Sequence, residues 1–414
     1  MNMLDGMDVM VISYAAPSLS KEWGIPATSL GYVFSAALLG MAIGAAFLAP
    51  RADTVGRRNI IIICIFIMGI GVSLTAFVQS ISQLITLRFF TGLGIGAMLA
   101  STVTLSSEYA PDHQKNFVVG IVLAGYPIGA TLSGLVAAQI IPEYGWRAMF
   151  IAAGIATIMT LPLAIFILVE SWDWLLKKQP KNALKKLNII LNKMGQPSVD
   201  TLPEKTDEAK KKPGVRILFI PGRSATTIIY WIAFFMAFAT LYFLITWIPN
   251  LAHNTGLSIK LAIYAGTVFS LGSIFGNLSQ GYLSQIIGLR KSIILFYLMS
   301  IILMSIFGYL ESNWIILIAF GLIGCGVSGG LIGLWITGAR IYPTEIRNTG
   351  LGWAEGAGRS GAIISPTVGG ILVGAGLSLA TSFIIFVIPL VIACLSIGLM
   401  PSKELKGIHT PHNV

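Results

Sequence analysis

Apolar runs of about 20 residues recur along the whole chain, and this pattern constrains the fold more than any other feature. A bilayer core about 30 Å thick is crossed by about 20 helical residues, and backbone there must satisfy its own hydrogen bonds. Reading the runs against their turn signals gives twelve spans, at roughly 3–19, 30–50, 59–79, 84–106, 117–141, 148–169, 224–249, 261–283, 292–310, 314–338, 349–373 and 378–400. The polar stretch 170–223 divides six from six. The expected class is all-α integral membrane, with an N-terminal six-helix bundle at 1–169, a basic linker at 170–223, a C-terminal bundle at 224–400 and a tail at 401–414.

Composition narrows the function. Of 414 residues, 11% are charged and 55% hydrophobic; a soluble domain is about a quarter charged. A soluble enzyme, a disordered chain and a nucleic-acid binder are all excluded. The net charge of +10 reads instead as topology. With both termini and the linker on the cytoplasmic side, the cytoplasmic segments hold 22 of the 27 Lys and Arg residues, and the outer loops hold only Lys21, Arg147 and Lys260. That asymmetry follows the positive-inside rule. In the linker, Leu184, Leu187, Leu191 and Met194 recur at helical spacing among lysines. This predicts an amphipathic helix at the inner interface. Cys64, Cys325 and Cys394 fall inside apolar runs and read as inert small hydrophobes. No basic region precedes a short apolar core, so no cleaved signal peptide is expected.

The halves repeat at an offset of 232 residues. Pro111 matches Pro343, Asn116 matches Asn348, Arg58 matches Arg290, and Gly56, Gly92, Gly94, Gly120 and Gly129 match glycines at the same shift. One shift joining loops and helices predicts two bundles of one fold about a pseudo-two-fold axis. It also implies that the first helix lacks its opening turns, and it sets Asp5 opposite Ala237, well inside a span.

Intramembrane charges are costly, about 2.5–3.5 kcal/mol each on insertion scales, so they are paired or face water. Asp5, Asp8, Arg88, Glu355 and Arg359 are the candidates. No histidine falls in a span, so carboxylates must carry any proton. Asp5 and Asp8, at i,i+3, share a helix face; their mutual repulsion and burial favour proton uptake. Arg359, near the midplane, suits a carboxylate, with Glu355 one turn away as a further coupling group or simply its ion-pair partner. Arg88 could attract an anion or pair with the helix-1 aspartates. Asp53, Arg57 and Arg58, with Glu108, Glu345 and Arg347, read as cytoplasmic gate pairs. Tyr126, Trp335 and Trp353 are aromatic lining candidates, or core. Glycines four apart, such as Gly40/Gly44 and Gly92/Gly96, predict close helix packing. No nucleophile–base set, metal cluster or nucleotide loop is present, so no enzyme and no cofactor beyond a coupling proton is expected.

These residues resemble the major facilitator superfamily. The loop from Ala49 through Asp53 and Gly56 to Arg58 is similar to its signature between helices 2 and 3, departing at Ala49 and Thr54. The second-half copy runs from Gly281 to Lys291, with Gln285 for the acid. Arg88 with Gly92, Gly94 and Gly96 is similar to the helix-4 motif, while Glu170-Ser171 with Trp174-Leu175, and Tyr342 to Arg347, are similar to sugar-porter-like branches. Asp5-Gly6-Met7-Asp8, and the stretch from Gly352 to Pro366, resemble the aromatic acid:proton symporters, and overall similarity extends to the cis,cis-muconate transporters. The resemblance implies a monomeric inner-membrane importer of a small organic carboxylate, muconate or an aromatic acid such as benzoate or a hydroxybenzoate, by proton symport with alternating access. A neutral-solute facilitator and a drug/proton antiporter are the alternatives, though Gly125-Tyr126-Pro127 interrupts the antiporter's helix-5 Gly-Pro signature.

Overall fold

The computed structural model describes residues 1–111, 114–203, 215–220, 223–310 and 312–401, without the side chains of residues 115–117, 344, 345, 348 and 379. All regular structure among the described residues is helical. The membrane helices of the first half are α1 (Asn2–Trp23), α2 (Ala27–Ile43), α3 (Arg57–Thr75), α4 (Ile81–Tyr109) and α5 (Lys115–Ile167). α2 continues through a π turn and a 3-10 turn into the short helix Ala52–Val55. α6 (Trp172–Lys178) and α7 (Ala183–Lys193) lie in the linker. The second half holds α8 (Ser224–Asn254), α9 (Ile259–Ile286), α10 (Leu289–Ile306), α11 (Asn313–Ile341), α12 (Thr344–Gly374) and α13 (Leu379–Leu399).

Twelve spans account for these helices once α5 is counted twice. It runs for 53 residues, but Gly145 at φ 80° and ψ 169° breaks it between the two expected spans. Only glycine enters that region without a Cβ penalty. Among the described residues, nine helices are long and apolar enough to cross a membrane. The two full-length helices outside that set, α1 and α12, carry Asp5 with Asp8 and Glu355 with Arg359. These charges lower the hydropathy of the two helices.

The 232-residue repeat extends to atomic detail. Gly56 and Gly288 start equivalent helices at φ 102° and φ 88°. Arg58 Nε donates to the Leu168 carbonyl at 2.8 Å, and Arg290 donates to the Met400 carbonyl, both partners shifted by 232. A Cβ on Gly92 would overlap the Ala37 carbonyl, and one on Gly324 would overlap that of Phe269. Gly40 against Phe89 is repeated by Gly272 against Gly321, and Gly129 against Met3 by Gly361 against Phe235. Backbones touch where side chains are missing, the packing mode that membrane helices favour. α1 begins at Asn2, opposite Phe234, ten residues into α8.

By compactness the chain forms two units. The first comprises Met1–Asp8, Ala36–Gly129 and Arg147–Lys211; the second comprises Val9–Ser35, Ala130–Trp146 and Lys212–Val414. Compactness and sequence repeat therefore draw different borders, and each unit is taken by itself below.

The linker helices differ from expectation. The helix forms, but a neighbouring stripe is buried in place of the expected one of Leu184, Leu187, Leu191 and Met194: Leu175, Ala183 and Ile190 form a small core with Tyr109, Val169, Trp174 and Leu202. Its register is Ala183, Leu187 and Ile190, whereas Met194 is 54% exposed. A second short helix, α6, supplies Leu175 and Trp174 to this core.

Candidate functional site

In the first unit, α1 and α4 bring Asp8 and Arg88 together. Arg88 Nη1 donates to Asp8 Oδ1 at 3.0 Å, and Nη2 donates to Thr75 Oγ1 at 3.1 Å. Its guanidinium carbon lies 5.4 Å from the centre of the Phe150 ring. Arg88 is 0% exposed, and Asp5 and Asp8 are each 1% exposed. Burying such ions costs several kcal/mol per charge, recovered only through close pairing and further hydrogen bonds. The environment matches that need: an opposite charge, a hydroxyl and an aromatic face surround one planar cation.

The repeat provides an internal control. The counterparts of Asp8, Thr75 and Arg88 are Thr240, Phe307 and Phe320. Phe307 and Phe320 stand 4.8 Å apart, and both contact Phe383. One helical framework thus holds an ion pair in one repeat and an aromatic cluster in the other. The fold requires the volume to be filled; it does not require charge.

The gate candidates of the first unit also assemble. Arg57 pairs with Glu108 and lies 3.7 Å from Asp53, whose side chain is 70% exposed. Glu108 Oε2 accepts from Ser171 Oγ at 2.6 Å. Arg58 uses its side chain differently, donating to the carbonyls of Leu168 and Ile165. Its backbone N–H donates to Glu170 Oε1 at 3.0 Å, as does that of Ser171. Glu170 is therefore an acidic cap on the N-terminus of α3, where the helix dipole favours a negative charge. The sequence reading gave Glu170 no site role; the signal was an acid at the end of a span opposite a Gly-Arg-Arg helix start.

In the second unit, Glu355 and Arg359 meet at i,i+4 on α12, with Arg359 Nη2 donating to Glu355 Oε1 at 3.0 Å. Their side chains are 35% and 16% exposed, so this pair, unlike Asp8–Arg88, is not sealed inside the protein. Beside it stands a feature the sequence reading missed. Tyr230, Phe234, Phe238 and Tyr242 recur every four residues on α8; Tyr230 meets Phe234 edge-on, and Phe234, Phe238 and Tyr242 stack in sequence. Their spacing was the available signal. Trp335 meets Phe234 edge-on at 5.3 Å. Trp353 instead stacks on Trp231 at 6.0 Å and stays 50% exposed. Tyr126 is half-buried in α5. Arg347 Nε donates to its neighbour, the Tyr342 carbonyl, at 3.4 Å. The Glu345 side chain lies outside the described residues. Among the described residues no cluster of His, Cys, Asp and Glu could hold a metal ion.

The family model of the Major Facilitator Superfamily matches residues 1–262 and 230–409. The chain belongs to this superfamily. The 4-hydroxybenzoate transporter PcaK of Acinetobacter baylyi is 33% identical over 401 residues, covering 95% of this chain and 87% of that one. The cis,cis-muconate transport protein of the same organism is 29% identical over 394 residues, covering 92% and 87%. Among solved structures, the inward open xylose transporter XylE from E. coli superposes with a TM-score of 0.76 at 19% identity, covering 98% and 96%. Superfamily membership, the relatives and the apolar helices make the chain a multi-pass membrane transporter rather than an enzyme.

Proposed function

We propose that the protein imports a small aromatic carboxylate across the inner membrane by proton symport, with both termini cytoplasmic. Its relatives include carriers named for 4-hydroxybenzoate, benzoate and cis,cis-muconate. Arg359 is the anion anchor, and Asp5 and Asp8 are the proton carriers, with Glu355 a further coupling carboxylate. Trp335, Trp353 and Tyr126 are aromatic substrate-contact residues, and Asp53, Arg57, Arg58, Glu108, Glu345 and Arg347 act in cytoplasmic gating. We assign Arg88 to coupling through Asp8, because its guanidinium is fully buried and engaged there.

The observation that carries the reading is the contrast between the repeats. The slot of Asp8 and Arg88 is filled in the second repeat by Thr240 and Phe320. An ion pair that the framework can replace with apolar packing is retained for what its charges do. A proton arriving on Asp8 would cancel the charge that holds Arg88, converting proton binding into a structural change.

The test is uptake of radiolabelled benzoate and 4-hydroxybenzoate by cells expressing the chain, with and without a protonophore. Accumulation should collapse when the proton gradient does. Unchanged accumulation would reject proton coupling, and no uptake of any aryl or diene carboxylate would reject the substrate class.

A further inference from the structure

The Tyr242 hydroxyl is an unused polar group next to the proposed anion anchor. Tyr242 is 8% exposed, with its ring stacked on Phe238 at 5.9 Å and 19°. Phe238 in turn stacks on Phe234 at 5.8 Å and 23°. Among the described residues no hydrogen bond is made to the Tyr242 hydroxyl. The Arg359 and Glu355 charges both act on it. Its oxygen, unlike that of Tyr297, is not enclosed, and a phenol O–H in such a place normally finds a partner.

Packing brings together the helices that carry the hydroxyl and the guanidinium. A Cβ on Gly358 would lie 2.9 Å from Phe238 Cδ2, so only a glycine lets the α12 backbone come so near the stacked rings. The next residue is Arg359. α12 is thereby pinned against the α8 ladder one position before its cation, and the ladder ends in a hydroxyl. Arg359 supplies donors and no acceptor, whereas Tyr242 supplies one further donor. Two donors with aromatic faces alongside suit a carboxylate on a planar ring.

We propose that Tyr242 is a substrate-binding residue: its O–H donates to the same substrate carboxylate that Arg359 holds. This inference rests on the aromatic-carboxylate reading above. It makes Tyr242 an anchor for the group that all such acids share, not a reader of ring substituents.

The experiment is calorimetric titration of the purified full-length protein in lipid nanodiscs with benzoate, 4-hydroxybenzoate and cis,cis-muconate. Tyr242→Phe keeps the stack and removes only the hydroxyl. It should weaken benzoate and 4-hydroxybenzoate by the same factor, about tenfold, the effect of one hydrogen bond to a charged group. Arg359→Lys/Tyr242→Phe should lose less than the product of the single losses, because both donors serve one carboxylate. Unchanged benzoate affinity in Tyr242→Phe, or a loss confined to 4-hydroxybenzoate, overturns the inference while the function stands. A wild-type protein that binds none of the three carboxylates overturns the function, and the inference with it.

Discussion

Arg88 and Asp8 lie 3.0 Å apart with neither side chain reaching solvent. Truncating one member leaves the other charge buried alone, at a cost of about 3–5 kcal/mol. Arg88→Ala should therefore lower thermal stability in detergent sharply. The double variant Asp8→Thr/Arg88→Phe installs the residues that the second repeat uses at the same positions. It should recover most of that stability and still fail to accumulate substrate. A double variant that transports normally, measured by uptake against a proton gradient, would remove the pair from the mechanism.

Glu355 and Arg359 can be separated by their readouts. Arg359→Lys keeps the charge and loses the planar fork, so carboxylate affinity should fall at least tenfold. Glu355→Gln should leave binding within a few-fold while abolishing proton-driven accumulation, with substrate exchange preserved. Counterflow in proteoliposomes, where no gradient is imposed, distinguishes these outcomes. If Glu355→Gln accumulates substrate as the wild type does, Glu355 is only the ion-pair partner of Arg359.

Close helix approach makes some glycines irreplaceable and others dispensable. A Cβ on Gly92 or Gly324 would overlap a backbone carbonyl, whereas one on Gly120 or Gly398 would meet nothing within 4 Å. Gly92→Ala and Gly324→Ala should cost about 1–3 kcal/mol each through overpacking. Gly120→Ala and Gly398→Ala should be neutral. Melting temperatures of the four variants in one detergent test this directly.

The Glu170 carboxylate occupies the space where a side chain at position 56 would go: a Cβ there would collide with it, and Gly56 also has φ 102°. Gly56→Ala and Glu170→Ala should thus share a phenotype. Each removes the acidic cap from α3, worth about 1 kcal/mol, and loosens the start of the linker. Trypsin should cut at Lys177 and Lys178 faster in both variants than in the wild type. A cleavage rate unchanged in Glu170→Ala would show that the contacts of Ser171 and Tyr109 suffice.

Much of the architecture was legible because one period and one offset governed it. Hydrophobic length gave the spans, and the shift of 232 residues linked Gly56 to Gly288 and Arg58 to Arg290 before any geometry was known. Charge inside apolar runs picked out Asp8, Arg88, Glu355 and Arg359, since the bilayer makes ionised groups conspicuous. The aromatic ladder on α8 was not legible in the same way. Its four-residue spacing was visible, but aromatic residues are ordinary in a span, and only the stacking of Phe234 on Phe238 and the approach of Gly358 set the ladder apart. The linker misled for a related reason: an amphipathic stripe records that a helix has an apolar face, not which partner covers it.

That covered stripe has a practical use. Ser171 to Glu108, Tyr109 to Glu170, and the core of Leu175, Ala183 and Ile190 fasten the linker helices to the unit containing α3 and α4. Lys185 and Lys186 remain on their open side. A fluorophore or spin label attached there would ride as a passenger on one unit only, and its distance to a second label beyond Ser224 would time each stroke of the transport cycle.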